Sequence, residues 1–226
     1  MKIGVLGTGV VGQTIAGKLA DLGHEVVIGT RSVAKTLNPA AENESGKSFL
    51  DWHGSHSKIR LEDFSRAAQH GDVVFNCTSG MSTLSALNLA GVENLSNKTL
   101  IDLSNPLDFS NGFPPTLSVC NDSSLAEQIQ AAFPKTNVVK SLNTMTASLM
   151  IDPGLLNEDH NVFLSGNVAS AKAEVVEILK EFGWKESNIL DLGDITTSRG
   201  VEMYLPLWLR LWGSLQNGVI NIKVVR

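Results

Sequence analysis

Three glycines near the start of the chain have the spacing of a phosphate-binding turn. Gly7-Thr8-Gly9-Val10-Val11-Gly12 follows the apolar run 2–6 and precedes a helical pattern over 13–22. In this setting the missing Cβ atoms allow a tight turn, and the pyrophosphate of a dinucleotide can approach both the backbone and the helix N-terminus. The segment therefore predicts a dinucleotide site. The alternative is a glycine-rich turn in an ordinary βαβ unit.

The end of the second apolar run, 25–28, bears on the choice between NAD and NADP. Gly29-Thr30-Arg31-Ser32 stands where an NAD-binding chain carries an acid for the ribose 2′-OH. Arg31 instead offers a planar fork suited to phosphate, and Lys35 lies about one helical turn further on. Because Thr30 and Ser32 add hydroxyl donors, we expect NADP. The alternative is that Arg31 is a solvated surface charge.

Small polar residues follow three further predicted strands. They are Thr78-Ser79-Gly80, Ser104-Asn105-Pro106 and Asn143-Thr144. The carboxyl ends of parallel strands meet at one edge of a sheet, where ligands bind, so these residues suit the nicotinamide half of the cofactor. We expect all of them except Thr144 to bind the cofactor, and Asn143 and Thr144 to serve the reacting centre. The alternative for each group is a turn or a helix cap.

Alternating strand and helix patterns must position these residues. The strands are predicted at 2–6, 25–28, 59–61, 72–77, 99–103, 138–142, 161–164 and 189–192, and helices at 13–22, 62–70, 83–90, 124–133 and 169–182. This order predicts a Rossmann-type α/β fold, a doubly wound, mostly parallel sheet. Residues 39–58, with a short helix near 49–52, and 107–122 are expected as loops, and 199–215 as a helix kinked at Pro206. We divide the chain into an NADP-binding domain, 1–195, and a C-terminal helical segment, 196–226.

Composition narrows the function classes. A net charge of −5 with mixed signs argues against nucleic acid as the main partner. Cys77 and Cys120 are too few for a disulfide framework, and the histidines lack metal-ligand spacing, so no metal is expected. The first residues read as a strand and not as a signal peptide, and Pro206 and Arg210 break the C-terminal apolar stretch. We expect a cytoplasmic protein without a membrane partner.

The chain lacks a recognisable acid–base pair. Tyr204 is its single tyrosine, so there is no Tyr-x-x-x-Lys motif, and Lys140 and Asn143 are expected to face opposite ways. Hydride transfer between stacked rings needs distance and orientation more than proton donors, which favours an electron carrier as acceptor over a ketone or imine. We expect an apolar cluster near the C-terminus to form the wall against which such a ring packs. Its members are Met203, Tyr204, Leu205, Leu207, Trp208, Leu211 and Trp212. The alternative is that this cluster is part of the core or a dimer face. Arg199 and Arg210 would meet a phosphate-bearing tail or be surface charges.

These segments resemble the F420-dependent NADP oxidoreductases. The resemblance is carried by the glycine turn, by Gly23-His24-Glu25-Val26 leading to Arg31, and by 140–144, 163–167 and 221–223. The reductase domain of the STEAP metalloreductases is similar through the same segments. The resemblance implies NADPH on a Rossmann sheet and hydride exchange with F420, FMN or FAD in a cleft closed by the C-terminal segment, commonly in a homodimer. Asn143 departs from it, since the deazaflavin enzymes tend to carry His there.

Three hypotheses follow. The first is an NADPH-dependent oxidoreductase with a flavin or deazaflavin acceptor. The second is an NADPH-dependent reductase of a small carbonyl or imine, and the third a non-catalytic protein that senses NADPH.

Overall fold

The fold is built on a mixed sheet with helices on both of its faces. The computed structural model describes residues 1–38 and 49–225, and in these ranges the sheet has eight strands in the order β10-β9-β8-β5-β4-β1-β2-β3. The strands are β1 (Lys2–Leu6), β2 (Glu25–Thr30), β3 (Arg60–Asp63), β4 (Val73–Asn76), β5 (Thr99–Asp102), β8 (Asn137–Ser141), β9 (Val162–Gly166) and β10 (Ile189–Asp191), and a separate hairpin joins β6 (Leu107–Asp108) to β7 (Thr116–Leu117).

The strand order reverses between β1 and β4. From β1 the chain runs outward through β2 and β3, and from β4 outward through β5 and β8. All these pairs are parallel, whereas β8 pairs antiparallel with β9. Ligands of open α/β sheets bind at such a reversal, beyond the carboxyl ends of the strands. The doubly wound, mostly parallel fold expected from the sequence is confirmed.

Helices pack on both faces because strand side chains alternate. In β4, Val73 and Phe75 belong to the core on one face and Val74 to the core on the other. The helices are α1 (Val10–Asp21), α2 (Val33–Thr36), α3 (Phe49–Ser55), α4 (Phe64–His70), α5 (Thr83–Ala90), α6 (Val92–Leu95), α7 (Leu125–Ala132), α8 (Ala147–Ile151), α9 (Ala169–Glu181), α10 (Ser198–Met203) and α11 (Leu205–Leu215). In the described ranges no helix is long and apolar enough to span a bilayer.

Three expectations from the sequence were wrong in detail. The first helix begins at Val10, inside the glycine motif, and not at Gln13. Residues 107–122, expected as a loop, contain the β6–β7 hairpin. The C-terminal helix is two helices that meet at Tyr204, and Pro206 lies in the first turn of α11, where its missing N–H costs no hydrogen bond. Of the loop expected at 39–58, residues 39–48 lie outside the described ranges.

Candidate functional site

The glycine turn after β1 is held by close backbone contacts. Gly7 has φ +115°, and a Cβ on it would lie 2.7 Å from the carbonyl oxygen of Cys77. A Cβ on Gly12 would collide with the carbonyl oxygen of Gly7, whereas one on Gly9 would meet no atom within 4 Å. Gln13 Nε2 donates to the carbonyl oxygen of Thr8 at 2.8 Å. The turn therefore packs tightly on its inner side and leaves open space at Gly9, beside the N-terminus of α1.

A cavity of about 280 Å³ opens in front of this turn. It joins the ends of β1, β2 and β4 and brings together seven residues expected there from the sequence with others that were missed. It is lined by Gly7, Thr8, Gly9, Thr30, Arg31, Thr36, Phe64, Cys77, Thr78, Ser79, Ser82 and Ala86. Burial raises the pKa of the Cys77 thiol, and the Asp102 carboxylate adds to this effect, so Cys77 is an unreactive apolar wall.

Directly after β2 lies a positively charged side chain that is not used in an ion pair within the described ranges. Arg31 is exposed, and no residue of the described ranges hydrogen-bonds or pairs with its guanidinium. Thr30 is buried, and its hydroxyl lies 2.7 Å from that of Thr36. Ser32 Oγ accepts from the backbone N of Lys35 at 3.4 Å and so caps α2, and neither residue lines the cavity. The geometry leaves a guanidinium fork at the cavity rim, where a phosphate could bind it.

The ends of β5 and β8 form a second, buried cluster beside the cavity. Asn143 Nδ2 donates to Asn105 Oδ1 at 2.9 Å and to the carbonyl oxygen of Val201 at 3.1 Å, and Asn105 Nδ2 donates to the carbonyl oxygen of Asn143 at 2.9 Å. Asn143 is 3% exposed and Thr144 2% exposed. A Cβ on Gly80 would collide with the carbonyl oxygen of Asn105. The loops after β4 and β5 are therefore in contact, which links this cluster to the cavity wall.

Sequence reasoning missed a buried ionic cluster behind these loops. Lys140 is fully buried, and its Nζ lies 2.8 Å from Asp102 Oδ2 and 2.9 Å from Glu202 Oε1. Although burial disfavours its charged form, the two carboxylates raise the pKa of Lys140. Lys140 donates hydrogen bonds to Asp102 and to the carbonyl oxygen of Ser104, and with the ion pair to Glu202 these contacts favour the ammonium form over a free amine. A signal existed, because a lysine inside an apolar strand must find buried acids.

The C-terminal helices present aromatic side chains on the surface. The rings of Trp208 and Trp212 stack with centroids 6.2 Å apart, and Phe113 meets Trp212 edge to face at 5.7 Å. Trp208 Nε1 is buried and has no acceptor in the described ranges. Of the expected cluster, Leu205 is buried, whereas Leu207 is 56% and Trp212 41% exposed. The cluster is therefore largely a surface and not core.

Arg199 does not offer a free charge to a ligand. Its Nε and Nη2 donate to the two carboxylate oxygens of Glu127 at 2.8 and 2.6 Å. The hydrogen bond from Arg199, against the effect of burial, lowers the pKa of Glu127. This bidentate pair ties α10 to α7, and the Arg199 side chain is 35% exposed, so Arg199 is a paired charge near the surface.

Comparison with known proteins finds relatives that are described as F420-dependent NADP oxidoreductases or reductases. The family described as NADP oxidoreductase coenzyme F420-dependent matches residues 2–106. A crystal structure from Arthrobacter sp. FB24, whose proposed identity is an F420-dependent NADP-reductase, is 53% identical and has a TM-score of 0.95 over 100% of both chains. The F420-dependent NADP reductase of Methanothermobacter marburgensis is 27% identical over 99% of this chain and 97% of its own.

A second group of relatives is longer than this chain. The metalloreductase STEAP3 of Rattus norvegicus is 26% identical over 92% of this chain and 38% of its own length. The chain thus spans less than two fifths of the STEAP proteins that it matches. An imine reductase of Myxococcus stipitatus in complex with NADP⁺ has a TM-score of 0.63 at 13% identity, covering 96% of this chain and 63% of that one, and shows the fold alone.

Proposed function

Because the chain belongs to the F420-dependent NADP oxidoreductase family and is an NADP-dependent oxidoreductase, we propose that its hydride acceptor is a deazaflavin of the F420 type or a flavin, FMN or FAD. The observation that carries this proposal is that the charged side chains behind the nicotinamide end of the site are paired with one another. Lys140, Asp102 and Glu202 are buried and fully paired. They are not available as a proton donor to a carbonyl or imine, whereas a ring that accepts a hydride requires mainly position.

The chain's own residues fit NADPH at the strand ends. The open space at Gly9 and the free N–H groups of α1 suit the pyrophosphate, and Arg31 with Ser32 suits the 2′-phosphate. We place Thr78 and Ser79 on the ribose beyond the pyrophosphate and the Asn105–Asn143 pair at the nicotinamide. When bound, NADPH supplies the hydride. The protein then contributes orientation, because its polar groups at that end are already hydrogen-bonded to one another.

The acceptor is assigned to the aromatic surface of the C-terminal segment. Trp212 is 41% and Phe113 59% exposed, and the two rings meet edge to face. Exposed aromatic side chains of this kind offer a stacking surface for a planar ring system. Asn143 Nδ2 donates to the carbonyl oxygen of Val201 in α10, so the nicotinamide end and this segment are directly connected. A flavin or deazaflavin fits the surface better than a small aliphatic carbonyl compound.

We also infer that the protein forms a homodimer through α11. Leu207, Leu211 and Leu215 are spaced four residues apart and are 56%, 36% and 58% exposed. Residues at this spacing lie on one side of a helix, so they form an apolar stripe that a second copy of the chain would cover.

A stopped-flow panel tests the acceptor. NADPH-loaded protein is mixed with F420, FMN, FAD, ferric chelates and a set of carbonyl and imine compounds. Oxidation of NADPH is followed by the absorbance of the reduced nicotinamide at about 340 nm. We expect oxidation by F420 or a flavin. Trp212→Ala should slow it about tenfold through lost stacking, and Leu22→Ala, exposed at the far end of α1, should not. Oxidation by no ring acceptor, or by imines alone, would contradict the proposal.

A further inference from the structure

The buried lysine of β8 connects three parts of the site. The Lys140 ammonium donates to Asp102 Oδ2 at 2.8 Å and to the carbonyl oxygen of Ser104, and it forms an ion pair with Glu202 Oε1 at 2.9 Å. Asp102 ends β5, Ser104 opens the loop that follows it, and Glu202 belongs to α10. Two hydrogen bonds join Lys140 to the end of β5 and its loop, and an ion pair joins it to α10. The position of Lys140 therefore relates both segments to β8.

The cluster continues toward the cofactor cavity through side-chain hydrogen bonds. Asp102 Oδ1 accepts from Asn76 Nδ2 at 2.7 Å and from Ser104 Oγ at 2.7 Å. Asn76 Oδ1 in turn accepts from the hydroxyl of Thr78 at 2.7 Å, and Thr78 lines the cavity. Asn76 and Asp102 are fully buried. The network therefore carries the position of Lys140 to the loop after β4 without passing through solvent.

On its other side the cluster holds the C-terminal segment. The carboxylate of Glu202 accepts from the backbone N–H groups of Leu125 and Ala126, at 2.7 and 3.1 Å, at the N-terminus of α7. This contact offsets the second negative charge, since a helix N-terminus favours an anion. Val201, beside Glu202, accepts the hydrogen bond from Asn143. The residues around the nicotinamide end and the segment assigned to the acceptor thus share one buried anchor.

We propose that Lys140 is a positioning residue, whose ammonium sets the loops after β4 and β5 and helix α10 in the arrangement that holds the nicotinamide half of the cofactor. The inference rests on the proposed function. A buried ion pair is often no more stabilising than apolar groups of the same volume. What three charges and their hydrogen bonds add is direction, because each acceptor must lie where a proton points. Among the described residues, Arg31 at the adenine half of the site has no hydrogen bond or ion pair with the residues of this network.

The test compares two ligands in a charge-free variant. Lys140→Met, Asp102→Asn and Glu202→Gln are combined so that no unpaired charge is buried, and binding of NADPH and of adenosine 2′,5′-bisphosphate is measured by calorimetry. We expect the bisphosphate affinity to stay within about twofold of wild type and the NADPH affinity to fall about tenfold. A folded variant in which both affinities are unchanged, or fall together, would overturn the proposal.

Two further variants keep the test decisive. If the triple variant does not fold, Glu202→Gln retains the Lys140–Asp102 pair and should weaken NADPH about threefold while sparing the bisphosphate, because an amide holds α10 less strongly. Lys172→Met removes a lysine that pairs with Asp191 outside this network and should change neither affinity. The binding measurements need no hydride acceptor. If the wild-type protein reduced no acceptor, the proposed function would be contradicted, but the two binding affinities could still be compared.

Discussion

Asn105 and Asn143 bind each other through two hydrogen bonds of 2.9 Å across the ends of β5 and β8. With the bond to Val201, both amide protons of Asn143 are used. A side chain that is committed in this way orients its neighbours and does not move protons. The resemblance to deazaflavin enzymes leads one to expect His at this position, so the chain has a fixed amide where a titratable ring would stand.

The first prediction concerns this amide pair. Asn143→Ala removes two hydrogen bonds, and we expect about 2 kcal/mol lower free energy of unfolding, about tenfold lower kcat and a higher KM for NADPH. Urea unfolding and steady-state kinetics measure both. Asn94→Ala is the control, since Asn94 Nδ2 also donates to two residues, Ser65 and Ala90, at the surface. A kcat equal to that of the control would contradict the positioning role of Asn143.

The second prediction concerns the choice of cofactor. Arg31→Ala should weaken NADPH about a hundredfold and NADH less than threefold, because only NADPH carries the 2′-phosphate that the guanidinium would bind. Calorimetric titration with both dinucleotides measures the ratio. Arg60→Ala, which breaks an exposed pair with Glu25 at the sheet edge, should leave both affinities unchanged. Equal losses for NADPH and NADH would show that Arg31 does not read the phosphate.

The third prediction separates two glycines of the same turn. Gly9→Ala meets open space, so the unfolding free energy should stay within about 0.5 kcal/mol of wild type, while NADPH binding falls because the Cβ occupies the phosphate space. Gly12→Ala collides with the carbonyl oxygen of Gly7 and should lower stability itself by about 2 kcal/mol or more. Thermal unfolding with and without NADPH distinguishes the two. Normal NADPH affinity in Gly9→Ala would place the pyrophosphate elsewhere.

The fourth prediction concerns the Glu127–Arg199 pair at low pH. The lowered pKa of Glu127 means that the unfolded chain binds its proton first as pH falls. The pair therefore stabilises the fold above the unfolded pKa of about 4.3, and this contribution is lost as pH drops through the folded value. Glu127→Gln should be about 1 kcal/mol less stable than wild type at pH 7, with a smaller difference below about pH 4.

Urea unfolding across this pH range measures that difference. Glu177→Gln breaks an exposed pair with Lys180 and should change the free energy of unfolding less than Glu127→Gln does at pH 7. A constant gap between wild type and Glu127→Gln at all pH values would refute the assignment.

The fifth prediction concerns assembly. Leu211→Glu places a charge in the apolar stripe of α11 and should convert a dimer to a monomer in sedimentation velocity. Leu155→Glu, at an exposed position outside the stripe, should not. A wild-type monomer at micromolar concentration would disprove the homodimer.

Local sequence patterns were sufficient to predict most strands and helices of the fold. Buried parallel strands read as apolar runs, and the helix expected over 83–90 is α5. The direction of β9 could not be read, because side-chain alternation is the same whichever way a strand runs. The connection from β8 to β9 passes through the five-residue helix α8, and its geometry depends on packing and not on a turn signature.

The site was harder to predict than the fold for a physical reason. The glycine turn and Arg31 act within one local segment, so their spacing is visible in the sequence. Phe64 and Ala86 line the cavity from helices, and whether a helical residue faces a ligand depends on how the helix packs. The partners of Lys140 are 38 residues before it and 62 after it. In the sequence, such long-range pairing is visible only as a lysine within an apolar strand, and the acids that pair with it cannot be identified.

The cap that Glu202 provides for α7 bears on how this protein can be re-engineered. Because Glu202 of α10 supplies one charge of a buried cluster whose other members lie in β5 and β8, the C-terminal helices cannot be exchanged as an independent unit. A chimera that takes its C-terminal segment from a relative would leave Lys140 with one carboxylate, and the N–H groups of Leu125 and Ala126 without their acceptor, unless the donor segment has an acid at the same place. Compatibility at position 202 is therefore the first criterion for choosing a graft.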